Sequence, residues 1–387
     1  MTDHFDIVVI GGGIHGVGVA QAAAVRGYRI RLLEQAVLAA GTSSRSSKLI
    51  HGGLRYLESG QIALVRESLR EREILLAIAP SLVERKAFHI PIYTNSRRTP
   101  TRIAIGLMLY RLLARGPYGS FQRIPARQWD TLDGLKTAGL KAVFRYYDAQ
   151  TDDVALTEAV ARSAAELGAD IQTGARVTAI ERTTSGYDVR FEHNGSVESC
   201  HALTVVNATG PWVAQTLNCV SPPPPRLNHD LVQGSHIVTT GTLTQGVYYA
   251  EAPADGRAVF LMPWRGQILT GTTETLYVGD PGQATPTAGE IAYLQEVLAT
   301  YFPGLSTQVE ASFAGLRVLL KTAQGLNARA RGTVFLTDDP VPRLISIFGG
   351  KLTDYRSTAD QVVARFAGVL PARVPRVDTR QLVLPTT

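Results

Sequence analysis

A chain of 387 residues with 45% hydrophobic composition carries apolar surface enough for two domains, each with its own core, and is neither disordered nor collagen-like. Lysine and arginine outnumber aspartate and glutamate by 39 to 33, a formal net charge of +6. With the arginines dispersed and no basic stripe interleaved with aromatics, this argues against nucleic acid and for an anionic substrate or an anionic membrane surface. No run reaches the roughly 18 apolar residues of a membrane span, no basic-then-apolar leader precedes the first strand, and Cys200 and Cys219 fit no metal spacing. A cytosolic, reducing setting with free thiols and no metal is therefore expected.

Residues 5–10 (FDIVVI) read as a buried parallel strand. The strand enters Gly11-Gly12-Gly13-Ile14-His15-Gly16, a G-x-G-x-x-G spacing. A helical pattern follows to about Gly27, then a second strand over 28–33 ending at Glu34. Glycines here allow a tight turn and let pyrophosphate oxygens reach the free N–H groups of a helix N-terminus. Glu34 would accept hydrogen bonds from an adenosine ribose and disfavours a 2′-phosphate, which sets NADP aside. The fingerprint alone does not separate FAD from NAD. Residues 41–58 (GTSSRSSKLIHGGLRYLE) argue for FAD: five hydroxyl side chains in six residues, then Lys48, His51 and Gly52-Gly53, with Leu49, Ile50, Leu54 and Leu57 pinning the segment to the protein. A flavin is long and needs such a second contact region.

Residues 61–79 have helical periodicity, with Arg66, Glu67, Arg70, Glu71, Arg72 and Glu73 expected on a solvated face. Residues 88–93 read as a strand. Residues 101–115 read as an amphipathic helix, assigned to the core ahead of a membrane surface. A loop-rich stretch over 117–137, an apolar run over 142–147, a polar turn over 148–153 and a helix over 154–167 follow. Residues 170–173, 175–182, 186–193 and 197–200 suggest a meander. Residues 203–207 form a buried strand leading into Ala208-Thr209-Gly210-Pro211-Trp212, small residues where backbone passes close to a ligand. Residues 221–225 (SPPPP) are a stiff linker. Strands over 236–240, 246–250, 258–263 and 267–273, a helix over 286–302, and residues 311–320 with Arg317 in an apolar setting describe a mostly antiparallel unit. A last buried strand over 344–348 leads through Gly349-Gly350-Lys351-Leu352-Thr353 into a helix to about Phe366, a second helix-N-terminus anion site suited to the N1/O2 edge of a flavin.

The fold class is therefore α/β: a Rossmann-like FAD-binding domain with a mainly parallel sheet, plus an inserted α+β substrate domain with a mostly antiparallel sheet. The division runs 1–90, 146–220 and 341–370 for the FAD-binding domain, 91–145 and 221–340 for the substrate domain, and 371–387 for a C-terminal tail.

These blocks resemble the FAD-dependent glycerol-3-phosphate dehydrogenases, within the D-amino-acid-oxidase-like flavoproteins. The resemblance rests on residues 10–18 (IGGGIHGVG), 42–58 (TSSRSSKLIHGGLRYLE), 206–212 (VNATGPW), 234–238 (GSHIV), 271–273 (GTT), 315–317 (GLR) and 348–353 (FGGKLT), in family order across nearly the whole chain. It implies oxidation of sn-glycerol 3-phosphate to dihydroxyacetone phosphate, a hydride passing from C2 to flavin N5 and electrons onward to a membrane quinone. It implies that Arg55, Tyr56, Arg317 and Lys351 hold the substrate, with Arg331, or in its place Arg329, as a further phosphate contact, and that His236 is the base. The cofactor set comprises Gly11, Gly13, Ile14, His15, Gly16, Glu34, Thr42, Ser43, Ser44, Ser47, Lys48, Leu49, His51, Gly53, Val177, Ala208, Thr209, Gly210, Trp212, Gly349, Gly350, Lys351, Leu352 and Thr353. His51 is expected to brace the cofactor loop, and His15 to face solvent or phosphate. Neither Arg55 nor Arg317 has a carboxylate as its immediate neighbour in sequence, although a buried arginine needs an anion. The chain departs from the family pattern at Glu274, where aspartate is usual, and at Val318, where proline is usual. Many members continue into a helical C-terminal domain, to which residues 380–387 (RQLVLPTT) look like the junction, so the chain reads as a short form.

Rival readings are a flavin oxidase of another small phosphorylated or phosphonylated alcohol or amine using oxygen, a catalytically silent flavoprotein serving in assembly, and a soluble NAD dehydrogenase. A peripheral contact with the inner face of the cytoplasmic membrane and a homodimer stay open.

Overall fold

The computed structural model describes residues 3–114, 120–321 and 332–385. The chain begins β1 (Asp3–Ile10), α1 (Ile14–Ala24), β2 (Ile30–Glu34), β3 (Leu49–Ile50), α2 (Ile62–Ile78), β4 (Val83–Tyr93), α3 (Pro100–Ala114), β5 (Gln122–Ile124) and β6 (Leu140–Thr151). It continues α4 (Asp153–Glu166), β7 (Asp170–Thr173), β8 (Ala175–Arg182), β9 (Tyr187–His193), β10 (Ser196–Asn207), α5 (Val213–Asn218) and β11 (Val220–Ser221). The remaining elements are β12 (His229–Thr239), β13 (Val247–Glu251), β14 (Ala258–Trp264), β15 (Gln267–Gly271), β16 (Thr275–Tyr277), α6 (Ala288–Tyr301), β17 (Val309–Leu320), β18 (Val334–Thr337), β19 (Leu344–Phe348) and α7 (Tyr355–Arg365).

The apolar run of β1 has no polar face because both of its faces are covered. Ile7 and Val9 join the core built with α1, α4 and α7. Phe5, Val8 and Ile10 join a second core with β8, β9 and α5. On its edges β1 pairs in parallel with β2 and with β10, β2 with β7, and β10 with β19. β10 is shared: Ser196–Ala202 pairs antiparallel with β9, while Val205–Asn207 pairs in parallel with β19. The parallel sheet is thus assembled from the start, middle and end of the chain. The second sheet, in the order β16-β12-β15-β14-β13-β4-β6-β3 with β17 beside β12 and β5 beside β6, is antiparallel except where β13 meets β4. α6 closes one of its cores, and α3 with the start of α2 closes the other. β4 and β6 run across the 90/91 and 145/146 boundaries within this second sheet.

Four expectations need correction. Residues 148–151 are not a turn but the end of β6, because Asp148 is bound by Arg72 and Tyr110, Gln150 by Pro263 O and Thr151 by Leu82 O. β7 is no part of the meander and lies parallel to β2. Residues 197–200 and 203–207 form one strand. The charged face of α2 is not all solvated: Glu71 and Arg72 are buried, paired with Arg356 and Asp148 respectively. α3 does bury Ile103, Leu107 and Tyr110, while Ile105, Met108 and Leu112 stay exposed.

α1 lies close to α7 because Gly18 has no side chain; a Cβ there would stand 2.8 Å from the Tyr355 ring. Gly106, inside α3, has nothing within 4 Å of its would-be Cβ. Gly18→Val should therefore destabilise the chain by about 1–3 kcal/mol through overpacking, and Gly106→Ala should stabilise it by about 0.5–1 kcal/mol. Urea unfolding of the two variants would show equal shifts if helix packing were loose.

Candidate functional site

Between the two sheets lies a cleft of about 680 Å³ lined by residues of both. Its floor follows from the glycine fingerprint. Gly11 has φ +107°, and a Cβ on it would meet Ala208 O at 2.8 Å, so the first turn and residues 208–212 approach backbone to backbone. Glu34, at the end of β2, accepts from Gly12 N (2.6 Å) and Ala36 N (2.8 Å) and brings its carboxylate to the cleft. Gly13, Ile14, His15, Val177, Ala208, Thr209, Gly210 and Trp212 also line it. Gly16 does not, and serves packing against Gly11 O. His15 is half-buried at the cleft: its ring packs on Gly350, its Nε2 is buried without a partner among the described residues, and burial pulls its pKa down to about 4.

The hydroxyl-rich segment is divided by function. Ser43 Oγ accepts from Ile14 N (2.9 Å), tying the segment to the start of α1, and Thr42 Oγ1 donates to Leu316 O (2.8 Å) on β17. Ser44 and Lys48, expected at the cofactor, lie off the cleft lining: Ser44 Oγ donates to Gly41 O, and Lys48 is buried with its Nζ 2.6 Å from Asp153 Oδ1. Asp153 also accepts from Ser46 N and Oγ. Farther on, Gly52 N donates to Tyr110 OH (2.8 Å), which is bound in turn to Asp148. Thr42, Ser43, Ser47, Leu49, His51 and Gly53 line the cleft.

Opposite the fingerprint, β12 and β17 bring in the remaining candidates. His236 is 2% exposed, sits between Gly271 and Phe313 in the sheet register, and stacks on the Phe313 ring at 4.9 Å. A Cβ at Gly271 would lie 2.1 Å from His236 Cδ2, so glycine makes the space for the ring. His236 Nε2 is 2.9 Å from Ser47 Oγ, and burial, with the charges of Lys48 and Arg317 adding to it, pulls its pKa down to about 3. Arg317 Nη2 donates to Thr273 O (3.1 Å). Arg55 and Tyr56 stand on a one-turn 3-10 helix after Gly53. Lys351 approaches Asp354 (3.1 Å), donates to Ser68 and lies 5.1 Å over the Tyr56 ring. Gly349, Gly350, Leu352 and Thr353 complete the wall, and Thr353 Oγ1 accepts from His51 N (3.2 Å). Arg329 and Arg331 lie outside the described residues.

The profile of the FAD dependent oxidoreductase family matches residues 6–356. The chain belongs to that family. A glycerol-3-phosphate dehydrogenase of Pseudomonas aeruginosa is 36% identical over 385 residues, covering 96% of this chain and 74% of its own. A D-erythritol 1-phosphate dehydrogenase of Brucella abortus is 35% identical over 381 residues, covering 95% and 74%. Among solved structures, the glycerol-3-phosphate dehydrogenase of Bacillus halodurans complexed with FAD superposes with a TM-score of 0.78 at 27% identity, covering 98% of this chain and 68% of that one. The chain spans about three quarters of the length of the two sequence relatives.

FAD is the cofactor of this oxidoreductase, and the residues present fit it. The fixed Glu34 carboxylate, the close backbone approach at Gly11, and His15 Nε2, buried without a partner among the described residues, together form a cradle with polar groups to spare. Sequence reasoning missed several lining residues: Arg45, Arg176, Arg257, Tyr249 and Phe260. For Arg257 the available signal was its place between the Asp255-Gly256 turn and the apolar run of β14. Glu274 was noticed in sequence but not as a partner, and it pairs with both Arg257 and Arg317.

Replacing Lys48 with Met would leave Asp153 buried without its cation, and unfolding should become easier by about 3–5 kcal/mol, with FAD released at lower denaturant than in the wild type. A flavin-release midpoint unchanged from wild type would exclude the pair as the lock on this loop. His236 has a folded pKa (about 3) below its unfolded value of 6.5. Above pH 6.5 it costs nothing; as pH falls from 6.5 toward 3, the unfolded chain takes up a proton that the folded chain refuses. Wild-type stability should therefore drop relative to His236→Asn by about 1.4 kcal/mol per pH unit in that window, read by urea unfolding at pH 7, 6 and 5.

Proposed function

We propose that this family member oxidises the secondary hydroxyl of a small phosphorylated polyol, with sn-glycerol 3-phosphate to dihydroxyacetone phosphate as the leading case and a membrane quinone as the electron acceptor. The observation that carries the reading is the convergence of Arg55, Arg317 and Lys351 with His51 and His236 on the same cleft that the fingerprint also lines. Guanidinium forks match a phosphate bidentately and stay charged at every working pH. Bound FAD supplies the two-electron acceptor for the hydride leaving C2. We assign the flavin to the parallel-sheet unit and the substrate to the antiparallel one.

The hydroxyl proton needs a base within reach. Geometry favours His51 over the expected His236. His236 is sealed, its Nε2 is held at Ser47, and its low pKa makes it a weak acceptor. His51 is half-buried, lines the cleft and stands edge-on to Phe260 at 6.0 Å. His236 then orients Ser47. The relative from Brucella abortus is as similar as the glycerol-3-phosphate dehydrogenases, which supports D-erythritol 1-phosphate as the second substrate to try. Among the described residues no helix is long and apolar enough to cross a membrane; access to a quinone would come from a peripheral contact.

Under anaerobic conditions, glycerol 3-phosphate should bleach the flavin band near roughly 450 nm of the purified protein. His51→Gln should slow bleaching by about 10²–10⁴-fold, and His236→Gln by less. The reverse order would return the base to His236. A flavin that stays oxidised with glycerol 3-phosphate and with D-erythritol 1-phosphate sinks the reading, and peroxide formed in air without an added acceptor would replace quinone by oxygen.

A further inference from the structure

The core accounts for only one face of α3. Ile103, Leu107, Tyr110 and Ala114 recur at helical spacing and pack in one core, against which Leu54, Tyr56 and Leu57 also lie. The opposite face is apolar as well. Ile105, Met108 and Leu112, at i, i+3 and i+7, are 58%, 53% and 68% exposed and form one outward row. Among the described residues no other helix presents more than one large exposed apolar side chain. Apolar residues scattered singly over a surface are ordinary, whereas a row of them on one helix marks a contact surface.

The charges around the row indicate what covers it. α3 contains no acid, and its two arginines, Arg102 and Arg111, are both exposed. Arg102 leans toward Glu58 (3.5 Å), which also holds Arg98. On α2, the exposed Arg66 and Arg70 border a groove shared with Leu113 and Ala114 of α3. The acids lining that groove are held within the fold: Glu71 and Asp360 by Arg356, Glu73 by Arg72, Asp378 by Arg380, and Glu67 by the Ser357 hydroxyl. The flank of the apolar row is therefore basic. Such a surface matches the boundary of an anionic bilayer, where apolar side chains enter the acyl edge and guanidiniums meet headgroup phosphates. A second copy of this chain fits less well, because a two-fold pairing of α3 sets its arginines against one another.

We propose that the outer face of α3 docks on an anionic phospholipid bilayer, with Ile105, Met108 and Leu112 at the acyl boundary and Arg66, Arg70 and Arg111 among the headgroups. The inner face of the same helix is fastened to the cofactor loop, since Tyr110 OH accepts from Gly52 N (2.8 Å). Docking in this pose sets the cleft wall that carries Arg55 and Tyr56 directly behind the lipid surface. Its use as a route for electrons rests on the quinone reading; the lipid contact stands on the helix itself.

The test uses the full chain loaded with FAD, floated with vesicles of phosphatidylcholine alone or mixed with phosphatidylglycerol. Wild type should float with the mixed vesicles and far less with the neutral ones, and added salt should narrow the difference. Serine at Ile105, Met108 and Leu112 together should weaken binding by about 100-fold or more. Arg111→Gln should weaken it by about fivefold, on the anionic vesicles alone. These positions are exposed and lie off the cleft lining, so flavin reduction by glycerol 3-phosphate in solution should keep the wild-type rate, while reduction of a quinone dissolved in the vesicles falls with binding. If the triple variant does not fold, Met108→Glu is read in the same way. Flotation equal to wild type in the row variants overturns the proposal, as does a wild type that floats with neither vesicle. A row variant whose free mass drops from dimer to monomer, with flotation unchanged, gives the face to a second copy and also overturns it. The two readings fail separately. Lipid binding that depends on the row, in a protein that passes no electrons to quinone, removes the acceptor reading alone. Quinone reduction at the wild-type rate by a row variant that no longer floats removes the inference alone.

Discussion

Lys48 and Asp153 form an ion pair with side-chain exposures of 5% and 0%, and the position of the whole cofactor loop follows from it. Asp153 opens α4 and is packed on the core of the parallel-sheet unit; Lys48 belongs to a loop that would otherwise be free to swing. Burial raises the Asp153 pKa, and the Lys48 charge and the Ser46 hydrogen bonds oppose that rise. Removing either partner leaves an uncompensated buried charge, so the loop has one low-energy seat. With Ser46 and Lys48 turned toward Asp153, Ser47 between them is turned toward His236, and Ser43 toward the start of α1. A second pin, Gly52 to Tyr110 to Asp148 to Arg72, holds the far end of the loop against α2 and α3. The loop is thus a rigid wall that both sheets can address.

Cation excess in the cleft explains part of the net charge of +6. Arg45, Arg55, Arg257, Arg317 and Lys351 line it, with Glu34 already spent on two backbone N–H groups. Elsewhere many arginines are matched within the fold, as with Arg356 against Glu71 and Asp360, or Arg98 against Glu58 and Glu251. A cleft lined mainly by cations between low-dielectric walls raises the local concentration of an anion and favours its arrival. A chain that bound an uncharged alcohol would gain nothing from that arrangement.

The sequence made legible those features whose causes are local. The glycine spacing, the strand before it and Glu34 after it follow from short-range sterics and hydrogen bonding, and the structure places them at one end of a cleft. The apolar runs of β1, β10 and β19 announced a doubly covered sheet because a strand buried on both faces has no polar alternation. What stayed hidden depends on partners far away in sequence. Glu71 and Arg72 look like surface charges until Arg356, 285 residues from Glu71, and Asp148, 76 residues from Arg72, arrive beside them. Lys48 looks like a cofactor contact in sequence because the acid that claims its charge lies on another element. Asp148 looks like a turn residue because residues 148–153 have the composition of turns, and burial against a guanidinium and a phenol overrides it. Arg257 is silent in sequence because a lone arginine just before a strand carries no pattern of its own.

The shared strand β10 has a consequence for how the chain is made. Its outer edge from Val205 to Asn207 is completed by β19, and α1 is covered by α7, both drawn from the last tenth or so of the described chain. A ribosome adding about 5–20 residues per second needs tens of seconds to reach them. During that time an open parallel edge and the apolar flank of α1 stand exposed, next to a fingerprint that is already synthesised. The second sheet contains its own neighbours and can close first. The nucleotide end of the cleft is therefore begun by β1 and completed only when the much later β19 and α7 dock.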